Sequence, residues 1–542
     1  MKRLFDNCQN KHFDLIIIGG GITGVSLAYE AASSGFSVAL FEKDDFGHAT
    51  SAATSKLIHG GLRYLKNFEF GLVRESLGER RIWENIAPNM VYPLPFLVPT
   101  YKNLKSNKLI LEMGMFFYDL LSFDKGNTWD RNKRLPSHKT LSRSTTLSLE
   151  QCIKSRGLTG SSIYYDCQNI NPERLTLTVL RSAMKYGAQA ADYAKVTSFI
   201  KENGSVSGVE VLDMISGQKH CFSSQLTVNC AGPWADLILK KAAGNHQNNH
   251  HIRRSEGIHI ITKKICNTNA VTVMTASGRH LLLMPWRNHS LIGTTDKEYL
   301  GDPDQYKVSK ESILELLQDV NENFACNPLS LNDVRHAYGG LRPLIDDQTE
   351  GSYETSRKYE IFDNNDEGLN NLITIEGGKY TTSRKLAGNA MKMICKKTGK
   401  PLKKSITDSQ YLDGCQIKNL EAYIRDIQLQ YPDFSNQTIT SLVSNYGTYC
   451  HELLDIALRE PHLKQSLTED GEILAEVKWA IEHEMADSLC DILFRRTGIG
   501  TLGHPGQETI QIVANLAAFI LNWPETRINE ELAKVEETYL TA

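Results

Sequence analysis

A chain of 542 residues, 41% apolar and 23% charged, has the make-up of a globular enzyme and the length for more than one core. Its net charge of −3 offers no global basic field for nucleic acid, which excludes a nucleic-acid partner as the first expectation. Eleven cysteines are scattered singly with no CxxC pair, so neither a zinc site nor a disulfide framework is expected, only free thiols in a reducing compartment.

In chain order, the first ten residues carry Asp6 and Asn7 and no apolar core, so they do not read as a secretory signal. No apolar run reaches the ~20 residues a membrane-spanning helix needs. Residues 14–18 form a short apolar run that feeds Gly19-Gly20-Gly21-Ile22-Thr23-Gly24, the pattern of a parallel strand buried on both faces. A helix over 24–34 ends at Gly35, and a second strand over 37–41 terminates in Glu42. Gly19 permits the tight turn, Gly21 lets backbone approach a pyrophosphate, and Gly24 allows close helix–strand packing. The helix N-terminus offers amide hydrogens to phosphates, and Glu42 can accept hydrogen bonds from ribose hydroxyls. The unit reads as a Rossmann-type dinucleotide site.

Residues 50–64, TSAATSKLIHGGLRY, are small and hydroxylated, suited to pack Thr50, Ser51, Ser55, Lys56, His59 and Gly60 against a large planar ligand. Residues 101–123 place Lys102, Lys105 and Lys108 ahead of LILEMGMFFYDLL, a basic-then-apolar helix that suits either a core position or a membrane interface. The segment LTVNCAGPW at 226–234 is a strand ending in the small residues Ala231 and Gly232. At 339–344, GGLRPL sets Arg342 among apolar residues and glycine, so either Asp346, Asp347 or a ligand anion must pair with it. LITIEGGKYTTSRKL at 372–386 reads as a strand, the pair Gly377-Gly378, then a helix capped by Thr381 and Thr382. Three glycine-bearing segments so far apart imply one large cofactor, FAD, bound non-covalently across them. From about 405 the pattern turns helical, with apolar spacing of three and four over 420–429 and 473–494. His483-Glu484 lacks a second zincin histidine, and His250-His251 sits in an Asn-rich loop, so no metal site is expected.

The sequence resembles the FAD-dependent glycerol-3-phosphate dehydrogenase family over nearly its whole length. The residues that carry the resemblance are IIGGGITG at 17–24, ATSAATSKLIHGGLRYL at 49–65, VNCAGPW at 228–234, IGTTDKEYLGDP at 292–303, YGGLRPL at 338–344 and EGGKYTTSRKLA at 376–387. It implies oxidation of sn-glycerol 3-phosphate to dihydroxyacetone phosphate, with hydride passing to FAD. It further implies Arg342 and Arg357 on the phosphate, and His259 as the base that takes the hydroxyl proton. Arg63 and Tyr64 would face the substrate. Lys379 would set a cation beside the isoalloxazine. Electrons would pass to ubiquinone or a similar acceptor at the cytoplasmic face of the bacterial inner membrane, with the chain bound peripherally and a soluble fraction allowed. A homodimer is left open.

One departure is Glu256, where family members commonly carry a lysine three residues before the strand histidine. A carboxylate there needs Arg253 or Arg254 as partner. Two rivals share the fold: an oxidase passing electrons from the same substrate to oxygen, and an amine or amino-acid oxidase with no phosphate site.

The expected architecture is α/β. A Rossmann-type FAD-binding part (12–85, 165–240, 335–400) is interleaved with a mixed-sheet substrate part (86–164, 241–334), and a helical C-terminal domain follows over 405–542.

Overall fold

The computed structural model describes residues 1–7, 11–102, 108–244, 252–275, 278–344 and 359–540. Lys105, His250, His251, Asp346, Asp347 and Arg357 lie outside the described residues.

β1 (His12–Ile18), α1 (Ile22–Ser33) and β2 (Val38–Phe41) open the chain. β1 runs parallel between β2 and the strand Lys219–Asn229. Leu15 and Ile17 join one buried cluster while Phe13, Ile16 and Ile18 join another. Both faces of β1 are therefore covered, as its continuous apolar run requires. The first sheet has the order 359–363, 372–377, 219–229, β1, β2, 189–191, with 205–213 added antiparallel onto 219–229 and 194–202 antiparallel onto 205–213.

β3 (Leu57–Ile58) and β4 (Val91–Tyr101) belong to a second, ten-stranded sheet. There β4 pairs with Leu158–Asn169 on one side and with Ala270–Met274 on the other. α2 (Phe70–Ile86) and α3 (Lys108–Leu121) pack together, and α3 also lies on Leu158–Asn169.

Three expectations need correction. The strand Val334–Leu344, assigned from sequence to the flavin part, pairs antiparallel with Arg253–Lys263 in the second sheet, with Ser255 opposite Arg342 and His259 opposite Tyr338. A strand's pattern shows which face is apolar, not which neighbour it takes. Thr381 and Thr382 do not cap the helix Ser383–Thr398: a 3₁₀ turn, Tyr380–Thr382, intervenes, and the Thr381 hydroxyl accepts from the His59 amide at 3.3 Å. The periodic run 473–494 is not one helix. Leu474–Glu484 stops at Met485, whose φ is +55°, and Asp491–Arg496 follows as a π-helical turn.

The helical domain has its own core, from Ile417 to Val535. It docks through buried ion clusters rather than through apolar contact alone. Arg174 grips Glu484 with two N–H···O bonds of 2.6 and 2.9 Å, and Arg181 adds a third of 2.9 Å. Burial alone would raise the Glu484 carboxyl, but Arg174 and then Arg181 outweigh it and bring it down to about 2. The stabilisation is thus present above the unfolded value, ~4.3, and lost as pH falls toward 2.

Glu484→Gln should remove ~3–5 kcal/mol at pH 7 by leaving the buried Arg174 guanidinium without its anion and Arg181 with Asp413 alone. Urea unfolding would show it, and the variant and parent should converge in stability near pH 2. A constant difference across that range would exclude the ion cluster as the cause.

Candidate active site

Residues from both sheets enclose a cavity of about 1490 Å³. That exceeds the ~300–1,000 Å³ of an ordinary small-molecule pocket. One end meets the glycine turn. α1 starts at Gly21 with no side-chain cap, and Gly19, Gly21, Ile22 and Thr23 line the cavity. The positive end of the helix and its first-turn amides thus face the space where a pyrophosphate would lie. The Ile22 amide donates to Ser51 Oγ at 2.9 Å. Gly24 lies outside the lining; a Cβ on it would stand 1.9 Å from the Gly19 carbonyl oxygen, so its role is to let α1 close onto β1.

Glu42 lines the cavity at the end of β2. Its two oxygens accept from the Gly20 amide at 2.6 Å and the Asp44 amide at 3.0 Å. Burial raises its carboxyl to about 7 against the pull of those N–H groups. A helix N-terminus, a glycine turn and a cavity-lining carboxyl together fit a dinucleotide.

Thr50, Ser51, Ser55, His59, Ala231, Gly232, Gly378 and Thr381 also line the cavity. Lys56 and Gly60 do not. Lys56, at φ +56°, turns its ammonium into the interior, 2.7 Å from Glu173 and over the rings of Trp286 and Tyr338. Gly60 makes room for Leu77 and Tyr118, which a Cβ would meet at 2.3 and 2.4 Å. Both positions look functional in sequence because they sit inside a motif whose neighbours are.

His259, Arg342, Arg63, Tyr64 and Lys379 line the same cavity. The Tyr64 ring has Lys379 Nζ 3.8 Å and the Arg63 guanidinium 4.8 Å from its centroid. Gly61, at φ +74°, permits this turn; a Cβ there would strike the Tyr64 ring at 2.5 Å.

Arg342 is held by Thr294 Oγ1 at 2.7 Å and by the carbonyls of Glu256 and Thr295, each at 3.1 Å, with Asp296 at 3.6 Å. Asp296, from the loop 294–296, is thus one ionic partner; Asp346 and Asp347 lie outside the described residues. Gly257 faces Arg342: a Cβ would lie 1.9 Å from Nη2.

Side chains alternate along Arg253–Lys263, which disposes of the concern over Glu256. Ser255, Gly257 and His259 face the cavity side, while Ile258 and Ile260 enter the core behind. Glu256 shares that rear face, where its carboxylate accepts from Ser312 Oγ at 2.8 Å. It pairs with neither arginine beside it: Arg253 binds Glu298 and Arg254 binds Asp236.

His259 Nε2 lies 2.8 Å from Ser55 Oγ, its ring is stacked on Tyr338 at 5.1 Å, and its Nδ1 is buried with no hydrogen-bond partner. Burial, then the charges of Arg342 and Lys56, lower His259 to about 3. Burial likewise lowers His59 to about 4. Sequence reading missed Asp166, a lining carboxylate that accepts from Tyr118 and Arg80, and Trp234 and Asp304, joined at 2.8 Å beside Lys43. The lone charge in IYYDC and the tryptophan of AGPW were the available signals.

Residues 14–373 match the family described as FAD dependent oxidoreductase, and 405–528 match the C-terminal domain of alpha-glycerophosphate oxidase. The chain is 32% identical to a glycerol-3-phosphate dehydrogenase of Synechocystis sp., over 99% of this chain and 98% of the relative. It is 30% identical to an aerobic glycerol-3-phosphate dehydrogenase of Staphylococcus epidermidis, over 98% and 95%. Among solved structures, the FAD complex of a glycerol-3-phosphate dehydrogenase from Bacillus halodurans shares the fold, with TM-score 0.78, 24% identity, and coverage of 99% and 97%.

An unfolded histidine gains its proton near pH 6.5, while native His259 and His59 stay neutral until about 3 and 4. These two histidines should therefore lower stability as pH drops from ~6.5 to ~4.5, a window in which Glu42, raised to about 7, acts in the opposite sense. Melting temperatures of His259→Gln across that window should fall less steeply than the parent's; equal slopes would exclude a neutral buried imidazole.

Proposed function

The chain belongs to the FAD-dependent glycerol-3-phosphate dehydrogenase family, and on that premise we propose that it oxidises sn-glycerol 3-phosphate to dihydroxyacetone phosphate and passes the electrons to a quinone at a membrane surface. The observation that carries the reading is that Arg342, His259 and Lys379 line the same cavity as the glycine turn and Glu42. When bound, FAD supplies the two-electron acceptor for hydride.

In this reading Arg342 takes the phosphate, its fork kept in one orientation by Thr294 Oγ1 and two backbone carbonyls. His259 takes the hydroxyl proton while Ser55 fixes its ring. The charge of Arg342 depresses the imidazole, so a bound phosphate dianion that offsets this charge raises the basicity of His259 when substrate is present. Arg63 and Tyr64 flank the substrate, and Lys379 keeps positive charge near the electron-accepting ring system.

Support for an apolar acceptor at a membrane comes from α3. Leu109, Ile110, Met113, Phe116, Phe117 and Leu120 are all exposed on it, and Phe68, Phe70 and Phe123 extend the patch. Phe68, Phe70, Ile110, Met113 and Phe117 also line the cavity, so the apolar surface and the interior are continuous. Among the described residues no helix is long and apolar enough to cross a membrane.

Anaerobic addition of sn-glycerol 3-phosphate should bleach the flavin absorbance of the purified protein, whereas glycerol, lactate and glycine should not; bleaching by glycine would favour the amino-acid oxidase reading. Gly257→Ala should raise KM for the phosphate ester by ~10-fold or more, the scale of one displaced charge-assisted hydrogen bond. Reoxidation by a soluble quinone should outpace reoxidation by dissolved oxygen; the reverse order would make the enzyme an oxidase. Phe116→Ser with Leu120→Ser should reduce sedimentation with anionic lipid vesicles, and unchanged sedimentation would exclude α3 as the membrane contact.

A further inference from the structure

The helical domain contributes no residue to the cavity lining, which ends at Thr381. It nevertheless holds the loop that follows β2. Asp45 is buried there, and Arg496 binds it in bidentate fashion, Nη1 to Oδ2 and Nη2 to Oδ1, both at 2.7 Å. Arg495 adds a third bond through Nε and ties the pair to Asp491 at 2.6 Å. Both arginines come from the π-helical turn Asp491–Arg496, an interruption of α-geometry of the kind often found at functional positions. We propose that Asp45 is a positioning residue for the dinucleotide, and that its capture by Arg495 and Arg496 lets the C-terminal domain set how tightly FAD is held.

The loop has few other anchors. On one side of Asp45, Glu42 receives the Gly20 amide, and on the other the Gly47 amide donates to the Gly20 carbonyl at 3.1 Å. Phe46, next to Asp45, packs where a Cβ on Gly20 would meet it at 2.7 Å. Asp44, Gly47, His48, Ala49, Thr50 and Ser51, which follow within a few residues, all line the cavity. A second link runs through Asp491: it accepts from the Tyr193 hydroxyl at 2.7 Å, and the Tyr193 amide donates to the Asp44 carbonyl at 3.0 Å. Movement of Asp45 away from its arginines therefore reaches Glu42, the glycine turn and Ser51 through covalent neighbours and single hydrogen bonds.

The comparison that tests this takes its control from the adjoining Glu484 cluster, which Arg496 also touches, through Nε to the Glu484 carbonyl at 2.9 Å. Arg181 joins the same two domains through Glu484 and Asp413 but touches no cavity residue. Holoenzyme carrying Asp45→Asn, Arg496→Lys or Arg181→Lys would be diluted, and FAD release followed by the rise in flavin fluorescence, with melting temperatures measured in parallel. Asp45→Asn and Arg496→Lys should release FAD ~10-fold faster or more, the equivalent of one strong hydrogen bond, while Arg181→Lys stays within ~3-fold despite a similar loss of melting temperature. Equal release from all three variants, or parental release from Arg496→Lys, would overturn the proposal. If Asp45→Asn yields no folded holoenzyme, the Arg496→Lys and Arg181→Lys pair decides. The parent's own flavin content keeps this separate from the question of whether FAD binds at all.

Discussion

α1 lies against the end of β1 so closely that no side chain fits at Gly24, 1.9 Å being all the room a Cβ would have from the Gly19 carbonyl. That approach fixes the direction of the helix, and with it the place where uncapped amides meet the cavity. Neighbouring contacts then follow. Ser51 reaches the Ile22 amide, Glu42 reaches Gly20, and the strand 219–229 brings Ala231 and Gly232 alongside. A site fit to hold phosphate with backbone donors needs the backbone rigid, and here rigidity comes from the packing at Gly24 together with Ser51 Oγ on the Ile22 amide.

At the reacting end the organising rule is the two-residue repeat of a strand. Arg253–Lys263 turns Ser255, Gly257 and His259 one way and Glu256, Ile258 and Ile260 the other. A position that looks hostile to a phosphate in the linear sequence is thereby removed from it. The same strand pairs with Val334–Leu344, so the guanidinium of Arg342 lies over Gly257 with its neighbours already arranged.

Much of this is legible in the sequence, for reasons that differ by residue. The glycine turn and Glu42 announce themselves because each constraint is local and falls within thirty residues. The cavity roles of Ser51, Ser55 and Thr381 depend on one motif folding back on another, and the quoted segments were long enough to contain them. Lys56 and Gly60 show the limit: their neighbours line the cavity while they meet the interior, and a two-residue strand separates them. Asp296, one ionic partner of Arg342, was not foreseen because it is remote in sequence yet adjacent across a sheet. Asp45 was invisible for the same reason, its partners lying some 450 residues away.

The dispersion of lining residues from Ile18 to Thr381 has a consequence for biosynthesis. The dinucleotide turn leaves the ribosome first, but Gly378 and Thr381 follow some 360 residues later, roughly 20–70 s at ordinary elongation rates. For a little over half of that interval the nascent chain exposes β1, an apolar strand whose parallel partner at 219–229 has still to be made, and afterwards 219–229 itself waits for its own parallel partner at 372–377. The newborn protein therefore spends that time with an unsatisfied sheet edge, a natural client for chaperones, and becomes able to retain its flavin only near the end of synthesis.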